Sequence, residues 1–589
     1  MNQNQNTIIN DLNNHFKMPI YYNPNKIELK QNIVSDLELV ATVDPSNNSI
    51  YSFCFNNDND VSKKITEQVA KYYTNDIHFL KDSQKLIQNY NSIKKEYNCY
   101  PNYKNIIEIW NELKVEAGFK ERYYYIDWDI IEFLNKSELF LQLMSLYNLF
   151  SPLFSLMVPI IILIIPFFVL KVKGISLSMQ EYINVLKTVA ETNAIGKLFT
   201  VDFSKIETQE RMYIFASAAF YLFSIYQNVM VCLRFHNNMK KIHSYFEELK
   251  VYLERTTWVM SSYLIYTKNL ETYQEFNRVL RNKIDELDNI KINLNSITEY
   301  NLTNFAKFKE IGRVLKYFYE LHTNEEYNNA IMYSLGFNGY IDCLDGLQTN
   351  IKERKMNFAK FSKEKSTIKK NVLNNSYYAC LKDGAPVKNT IKLKKNIVIT
   401  GPNASGKTTV LKSTLINVIF SQQFGCGFYD SAKLAPYDNL HCYLNIPDTS
   451  GRDSLFQAEA RRCKDIIDSI HTSKDETHLC IFDELYSGTN PDEAEKSATS
   501  FMYYLNKYKN VSTMLTTHFN KVCIKLERNR AIQNYKMETD YDTKNKKITY
   551  LYKMEKGISN VKGVVSILED MNYPKEIIDN TVYQVLYNQ

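Results

Sequence analysis

The chain has 589 residues, 45% of them hydrophobic and 23% charged, with a net charge of +6. That length exceeds one hydrophobic core, and the composition is that of a folded chain rather than a disordered one. The ten cysteines are scattered with no CxxC pair, which argues against a disulfide framework or a zinc site and for reduced thiols.

The opening stretch, MNQNQNTIINDLNNHF, is polar and lacks the basic-then-apolar layout of a cleavable signal. Residues 1–148 mix helix and strand signals and turn mostly helical from about 85, without a motif that assigns them a role. Residues 149–170, LFSPLFSLMVPIIILIIPFFVL, carry no charge. As a helix they rise about 33 Å, enough to cross the hydrocarbon layer. Pro152, Pro159 and Pro166 would break a soluble helix, but a membrane span tolerates them when neighbours satisfy the freed carbonyls. A second apolar run, 213–233, lies between Arg211 and Arg234, and its small residues Ala216, Ser217, Ala218 and Ala219 suit close helix packing. The pair predicts a two-span membrane hairpin over 149–234 with 171–212 as its loop. The competing reading is a buried hairpin of a large helical core.

From 235 onward apolar residues recur at helical spacing: Ile242, Phe246, Leu249, Leu253, then Tyr273, Phe276, Leu280, Ile284, Leu287. No Pro occurs between Pro166 and Pro386 and no Gly between Gly196 and Gly312, so residues 235–372 are expected to form long helices, a bundle or lever-like arms. Between Lys352 and Lys370 stand eight Lys and Arg (Lys352, Arg354, Lys355, Lys360, Lys363, Lys365, Lys369, Lys370) against Glu353 and Glu364, an excess equal to the whole chain's. This is either a solvated helix end or a contact for phosphates of nucleic acid or anionic lipid.

Residues 392–400, KLKKNIVIT, form a strand pattern that runs into Gly401-Pro402-Asn403-Ala404-Ser405-Gly406-Lys407-Thr408, with Thr409 opening a helical segment. This is GxxxxGK[ST] in the strand–loop–helix setting that a phosphate-binding loop requires. Its glycines let backbone N–H groups surround phosphates at a helix N-terminus. Lys407 is the expected ligand of the β- and γ-phosphates, and the Thr408 hydroxyl that of Mg²⁺. Further on, His478-Leu-Cys-Ile-Phe-Asp483-Glu484 is a buried-strand pattern ending in two carboxylates and followed by Ser487-Gly-Thr-Asn-Pro. Asp483 is placed to hold the magnesium and Glu484 to polarise the attacking water. A third strand, Val511–Thr517, ends at His518, which then lies near the γ-phosphate.

Together GPNASGKTT, SGRDSLFQAE, CIFDELYSGTNP and LTTHF resemble the ATPase domain of the MutS proteins, over about 373–589. The resemblance implies ATP and Mg²⁺ as ligands, ATP hydrolysis, and a dimer in which a serine segment of one subunit completes the other's site. By motif matching that trans residue is Ser454, with Phe456 and Glu459 following as in the family. Here SGRDSLF has one residue more than the family's SGRSTF, and Leu455 replaces a threonine. Residues 560–589 resemble the family's C-terminal pairing helices. The mismatch-reading family members use a Phe-x-Glu motif. Phe119-Lys-Glu121, Phe246-Glu-Glu248 and Phe308-Lys-Glu310 fit it, but so short a pattern is expected by chance, and Phe246 lies on an apolar helical face.

The resulting expectation is a multidomain α and α/β chain: residues 1–148, a membrane hairpin over 149–234, helices over 235–372, and an ABC-like P-loop α/β domain over 373–589. Two spans leave both flanks on one side, the cytosolic side if ATP is to reach the C-terminal domain. The expected function is a membrane-anchored ATPase acting as a homodimer, or as a heterodimer with a related subunit. The alternative is a soluble cytoplasmic or nuclear DNA-binding repair or recombination factor with 149–233 as a buried helical core.

Overall fold

The computed structural model describes residues 2–56, 59–96, 103–174, 178–192, 196–198, 202, 207–298, 309–363, 365–444, 446, 454–542, 547–561, 568, 571 and 573–580. They divide into two compact units, each discontinuous in sequence.

The first unit takes residues 1–8, 101–257 and 285–331 and is helical. Its core gathers around Trp110, whose indole N–H donates to Asn328 at 2.9 Å, and Phe119, stacked 3.9 Å from the His322 ring. Phe119 and Phe246 are both buried, so neither ring is free to probe a ligand; Phe308 lies outside the described residues. Helix α1 (Glu138–Val172) is capped by Ser137, which accepts the Phe140 N–H, and continues through all three prolines. Helix α2 (Thr208–Thr267) is a single run of 60 residues, of which those to Thr257 belong to this unit. Within the unit the two helices are antiparallel. Cys232 meets the Leu149 carbonyl, Tyr221 donates to the Ser155 carbonyl at 2.9 Å, and Asn228 donates to the Ser155 hydroxyl. Their polar side chains thus face each other, while Phe154, Ile161 and Phe168 of α1 and Phe215, Leu222 and Phe223 of α2 are exposed. By length and composition, both helices are able to cross a membrane.

The second unit takes residues 9–100, 258–284 and 332–589. Its centre is a six-stranded sheet of β1 (Asn396–Thr400), β2 (Asn439–Tyr443), β3 (His478–Asp483), β4 (Val511–Thr517), β5 (Ile532–Asp542) and β6 (Lys547–Lys556). The order is β6-β5-β1-β4-β3-β2, parallel except for the β5–β6 hairpin. Strands β1 and β4 are buried along their whole length, as continuous apolar and β-branched runs such as Asn-Ile-Val-Ile-Thr demand between two covering layers. Helix α3 (Lys407–Phe424) follows β1 and is bounded by Gly406 and Gly425, both left-handed. Helix α4 (Leu455–Thr472) starts with a capping box between Ser454 and Gln457. Helix α5 (Pro491–Leu505) starts with Pro491 behind an Asn490 cap. A second, five-stranded sheet is built from short strands between Asn357 and Leu434.

The N-terminal segment of this unit packs on the C-terminal half of α3. Tyr51 donates to Gln423 at 3.1 Å, Gln423 to the Val69 carbonyl at 2.7 Å, and Gln422 to the Thr74 carbonyl at 3.2 Å. Tyr73 reaches the Asp438 carbonyl at 2.9 Å.

A buried histidine pair crosses from β2 to β3: His441 Nε2 and His478 Nδ1 are 3.1 Å apart and share one proton. Burial holds both pKa values below the usual imidazole range, that of His441 well below, where nearby Lys30 adds to the effect. The folded state therefore leaves both rings neutral at a pH where the unfolded chain protonates them. Stability is then expected to fall as pH drops below about 6.5, by up to about 1.4 kcal/mol per pH unit for each ring. Asp36, raised to about 6 by burial, acts in the opposite sense below that pH. Urea midpoints between pH 7.5 and 5.5 check this, with a shallower dependence expected for His441→Phe. An identical slope in the variant would rule the pair out as the source.

Candidate nucleotide site

The loop between β1 and α3 is tight because of what its residues allow. Gly406 has φ +91°, and Ala404 is also left-handed at +60°. A Cβ on Gly401 would come within 2.7 Å of the Ser405 hydroxyl, and that hydroxyl donates to the Pro402 carbonyl at 2.7 Å. The loop thereby wraps the N-terminus of an 18-residue helix, where unpaired N–H groups and the helix dipole favour an anion.

Lys407 is almost fully buried, and its ammonium donates to the Gly401 and Pro402 carbonyls at 3.1 Å each. Burial lowers its pKa, opposed by the Glu484 and Asp483 carboxylates. The Thr408 hydroxyl donates to Asp483 at 2.9 Å, and Thr516 donates to the other oxygen of that carboxylate. The first turn of α3 and the end of β4 thus converge on the aspartate that ends β3.

Glu484 takes a left-handed φ of +51°, so its side chain departs from the line of β3, and its N–H is held by the Thr516 carbonyl at 3.1 Å. Its carboxylate lies 2.6 Å from His518 Nε2 and 4.0 Å from the Lys407 ammonium. The hydrogen bond with His518 keeps the Glu484 pKa below its ordinary value, against the opposing effect of burial. His518 Nε2 also stands 3.3 Å from the Lys407 ammonium. Lys407, Glu484 and His518 are therefore one cluster.

Beside them opens a cavity of about 760 Å³, lined by Asn403, Ala404, Gly406, Thr408 and Thr409 on one side and by Tyr378, Asp383 and Tyr552 among others. Of the sequence-predicted residues, the structure brings together Gly401 to Thr409, Asp483, Glu484 and His518. Ser454 is exposed at the start of α4, and its hydrogen bonds go to Gln457. The neighbouring 447–453, which carry the motif's additional residue, lie outside the described residues, as does most of 560–589.

Two participants escaped the sequence reading. Thr516 sits inside a buried strand and is revealed only by the β3–β4 register, which pairs it with Asp483. Tyr552 has φ +54° at a bulge, because β6 places Leu551, Tyr552 and Lys553 against the single Glu538 between the pairs Met537–Met554 and Thr539–Tyr550. Its ring lies within 3.2 Å of where a Gly406 Cβ would stand. No local signal marks that bulge.

Comparison with known proteins gives this geometry a family. Residues 397–586 match the family model of MutS domain V. The chain is similar to proteins named Endonuclease MutS2. That of Staphylococcus epidermidis (strain ATCC 12228 / FDA PCI 1200) is 25% identical over 321 residues, which are 52% of this chain and 39% of the relative. That of Staphylococcus carnosus (strain TM300) is 25% identical over 318 residues, again 52% and 39%. That of Lactococcus lactis subsp. cremoris (strain MG1363) is 28% identical over 203 residues, 34% and 25%. The matched part thus spans well under half the length of these relatives. The C-terminal part of this chain is a MutS-type domain.

Proposed function

For a chain with a MutS-type C-terminal domain, we propose ATP hydrolysis in composite sites between two subunits, anchored to a membrane through α1 and α2. The observation that carries the ATPase reading is the convergence of Thr408 on Asp483 beside the buried Lys407.

The loop N–H groups and Lys407 bind the β- and γ-phosphates. The Lys407 ammonium is engaged with two neutral carbonyls, and exchanging them for phosphate oxygens yields stronger, charge-assisted bonds. The Thr408 hydroxyl and the Asp483 carboxylate are the hard oxygen donors that suit Mg²⁺, which when bound neutralises charge on the phosphate oxygens. Glu484, kept ionised by His518, accepts a proton from the attacking water, and His518 steadies the carboxylate within reach of Lys407. Tyr552 and Tyr378 offer aromatic faces to the base. The γ-phosphate bridges Lys407 of one subunit and Ser454 of the other, so hydrolysis releases the pair and the nucleotide acts as a two-state ligand.

The membrane reading rests on the inverted pattern of α1 and α2, polar contacts inward and large apolar side chains outward. It places the ATPase on the cytosolic side. A second reading, a DNA-binding factor, draws on the relatives' name, Endonuclease MutS2. The basic stretch lends that reading less than its charge suggests. Lys369 is tied to Asn396 and the Val511 carbonyl, and Lys355 to Glu353 and Asp383.

Fractionation and turnover separate the two readings. The full chain is expected to stay in the membrane pellet through carbonate and high salt and to leave it only with detergent. Its Mg²⁺-dependent ATP turnover is expected to be the same with and without DNA. Release by carbonate would end the membrane reading, and DNA-stimulated turnover that collapses with added salt would establish the second one.

A further inference from the structure

Ser454 caps helix α4, and five residues on the helix carries Glu459, whose side chain is buried. Both carboxylate oxygens are used. One accepts the Ser487 hydroxyl at 3.0 Å and the other the Gly488 N–H at 3.2 Å. Ser487 and Gly488 belong to the loop that starts at Glu484. A buried carboxylate with two donors, both from one short loop, is a clamp, since leaving either donor unpaired in that setting is costly.

The same loop touches α4 at two further points. The Tyr486 ring lies 5.7 Å from that of Phe456, and a Cβ on Gly488 would stand 2.7 Å from Leu455 Cγ. The loop is also held in a conformation it would not adopt alone. Glu484 and Tyr486, two non-glycine residues within three positions, have φ values of +51° and +60°. Such strain persists only where surrounding contacts over-determine it. Here those contacts are Glu459 on one side and, on the other, the Tyr443 hydroxyl, which accepts the Tyr486 N–H at 3.3 Å. The start of α4 and the loop bearing Glu484 are therefore tied to each other at three points.

We propose that Glu459 is a positioning residue that couples the two sites of the dimer, linking the seat of Ser454 on the partner's nucleotide to the placement of Glu484 in its own site. The coupling rests on the composite-site reading above. Nucleotide in one site draws Ser454 of the opposite subunit onto its γ-phosphate. Through Glu459 that movement sets the strained loop, and with it the carboxylate that activates water in the second site. Each subunit then hydrolyses at its full rate only when its partner is loaded.

Glu459→Gln keeps the size of the side chain. Its amide oxygen still accepts the Gly488 N–H and its NH2 group donates to the Ser487 hydroxyl, so both bonds have partners while the charge that strengthens them is lost. The full-length protein is assayed for ATP turnover against ATP concentration, for affinity toward a fluorescent ATP analogue, and for thermal midpoint. Wild-type turnover is expected to be sigmoidal in ATP. Glu459→Gln is expected to be hyperbolic, with kcat lowered about tenfold, nucleotide affinity within about twofold, and an unchanged midpoint. A merely structural role would move affinity and midpoint together and leave the sigmoid shape in what activity remains, which would overturn the proposal, as would unaltered kcat and cooperativity. Ser487→Ala removes one of the two bonds and serves as the milder variant should Glu459→Gln not fold. A smaller shift in the same direction supports the coupling, and unchanged cooperativity overturns it. Wild-type protein without ATP turnover would overturn the reading of the site itself, a result distinct from an active wild type whose variants are indifferent.

Discussion

Glu484→Gln subunits are expected to bind ATP, accumulate as a dimer, and turn over about a thousandfold more slowly than wild type, within the range that a positioned general base contributes. Three features of the site argue for so large an effect from an isosteric change. The carboxylate is 2.6 Å from His518 and held ionised by it, so at neutral pH it is ready to accept a proton. Its left-handed backbone turns the side chain away from Asp483, so the two neighbouring carboxylates have separate tasks. The phosphate contacts come from other residues, Lys407, Thr408 and the loop, so binding should survive. Single-turnover hydrolysis checks the rate, and size-exclusion chromatography with ATP checks the dimer. The lowered pKa adds a sign: because Glu484 stays ionised below the ordinary range, it should not impose an acid limb on turnover between pH 5 and 7. Turnover in Glu484→Gln close to wild type would remove Glu484 as the base.

Most of this site was legible in the sequence because it is local. Gly401 to Thr409 must form a strand–loop–helix turn to satisfy its own backbone, and the runs ending in Asp483 and at His518 are apolar strands of the length a covered parallel sheet needs. That the three strand ends meet follows from their adjacency in the sheet. What was not legible depends on partners far away in the chain. Tyr51 and Tyr73 join residues more than three hundred and fifty positions distant, and nothing in their neighbourhoods indicates α3 or β2. The bulge that presents Tyr552 arises from a register shift between β5 and β6. The apolar run ending at Arg234 marks a change of surroundings but not of secondary structure. Without Pro or Gly to stop it, α2 continues to Thr267. The basic stretch reads as one charged face, yet Lys369 turns inward, and burial lowers its pKa to about 8.

Lys407→Ala and Ser454→Ala proteins are each expected to lose nearly all turnover, and an equimolar mixture of the two to regain activity that neither has alone, with about a quarter of the wild-type rate as its ceiling. The first loss follows from burial: Lys407 is a buried cation held against the loop carbonyls, and its removal takes away the charge that pairs with the phosphates. Such a variant should fail to retain nucleotide. Ser454 is exposed at a helix N-cap, and among the described residues its hydroxyl is bonded to Gln457. Its loss should therefore spare folding and nucleotide binding while removing closure. The recovery follows from symmetry. In a two-fold dimer each site takes Lys407 from one subunit and Ser454 from the other. A mixed dimer therefore gathers both defects in one site and leaves the second intact. Random exchange makes half the dimers mixed, and each has one working site of two, which sets a ceiling of about a quarter. Because the defective site stays empty, coupling between the sites holds the recovery below that ceiling. Differently tagged subunits report whether mixed dimers form. If they form and the mixture is no more active than its two components, Ser454 acts within its own subunit or not at all. Recovery above both components, by contrast, is an outcome that a site built from one chain has no means to produce.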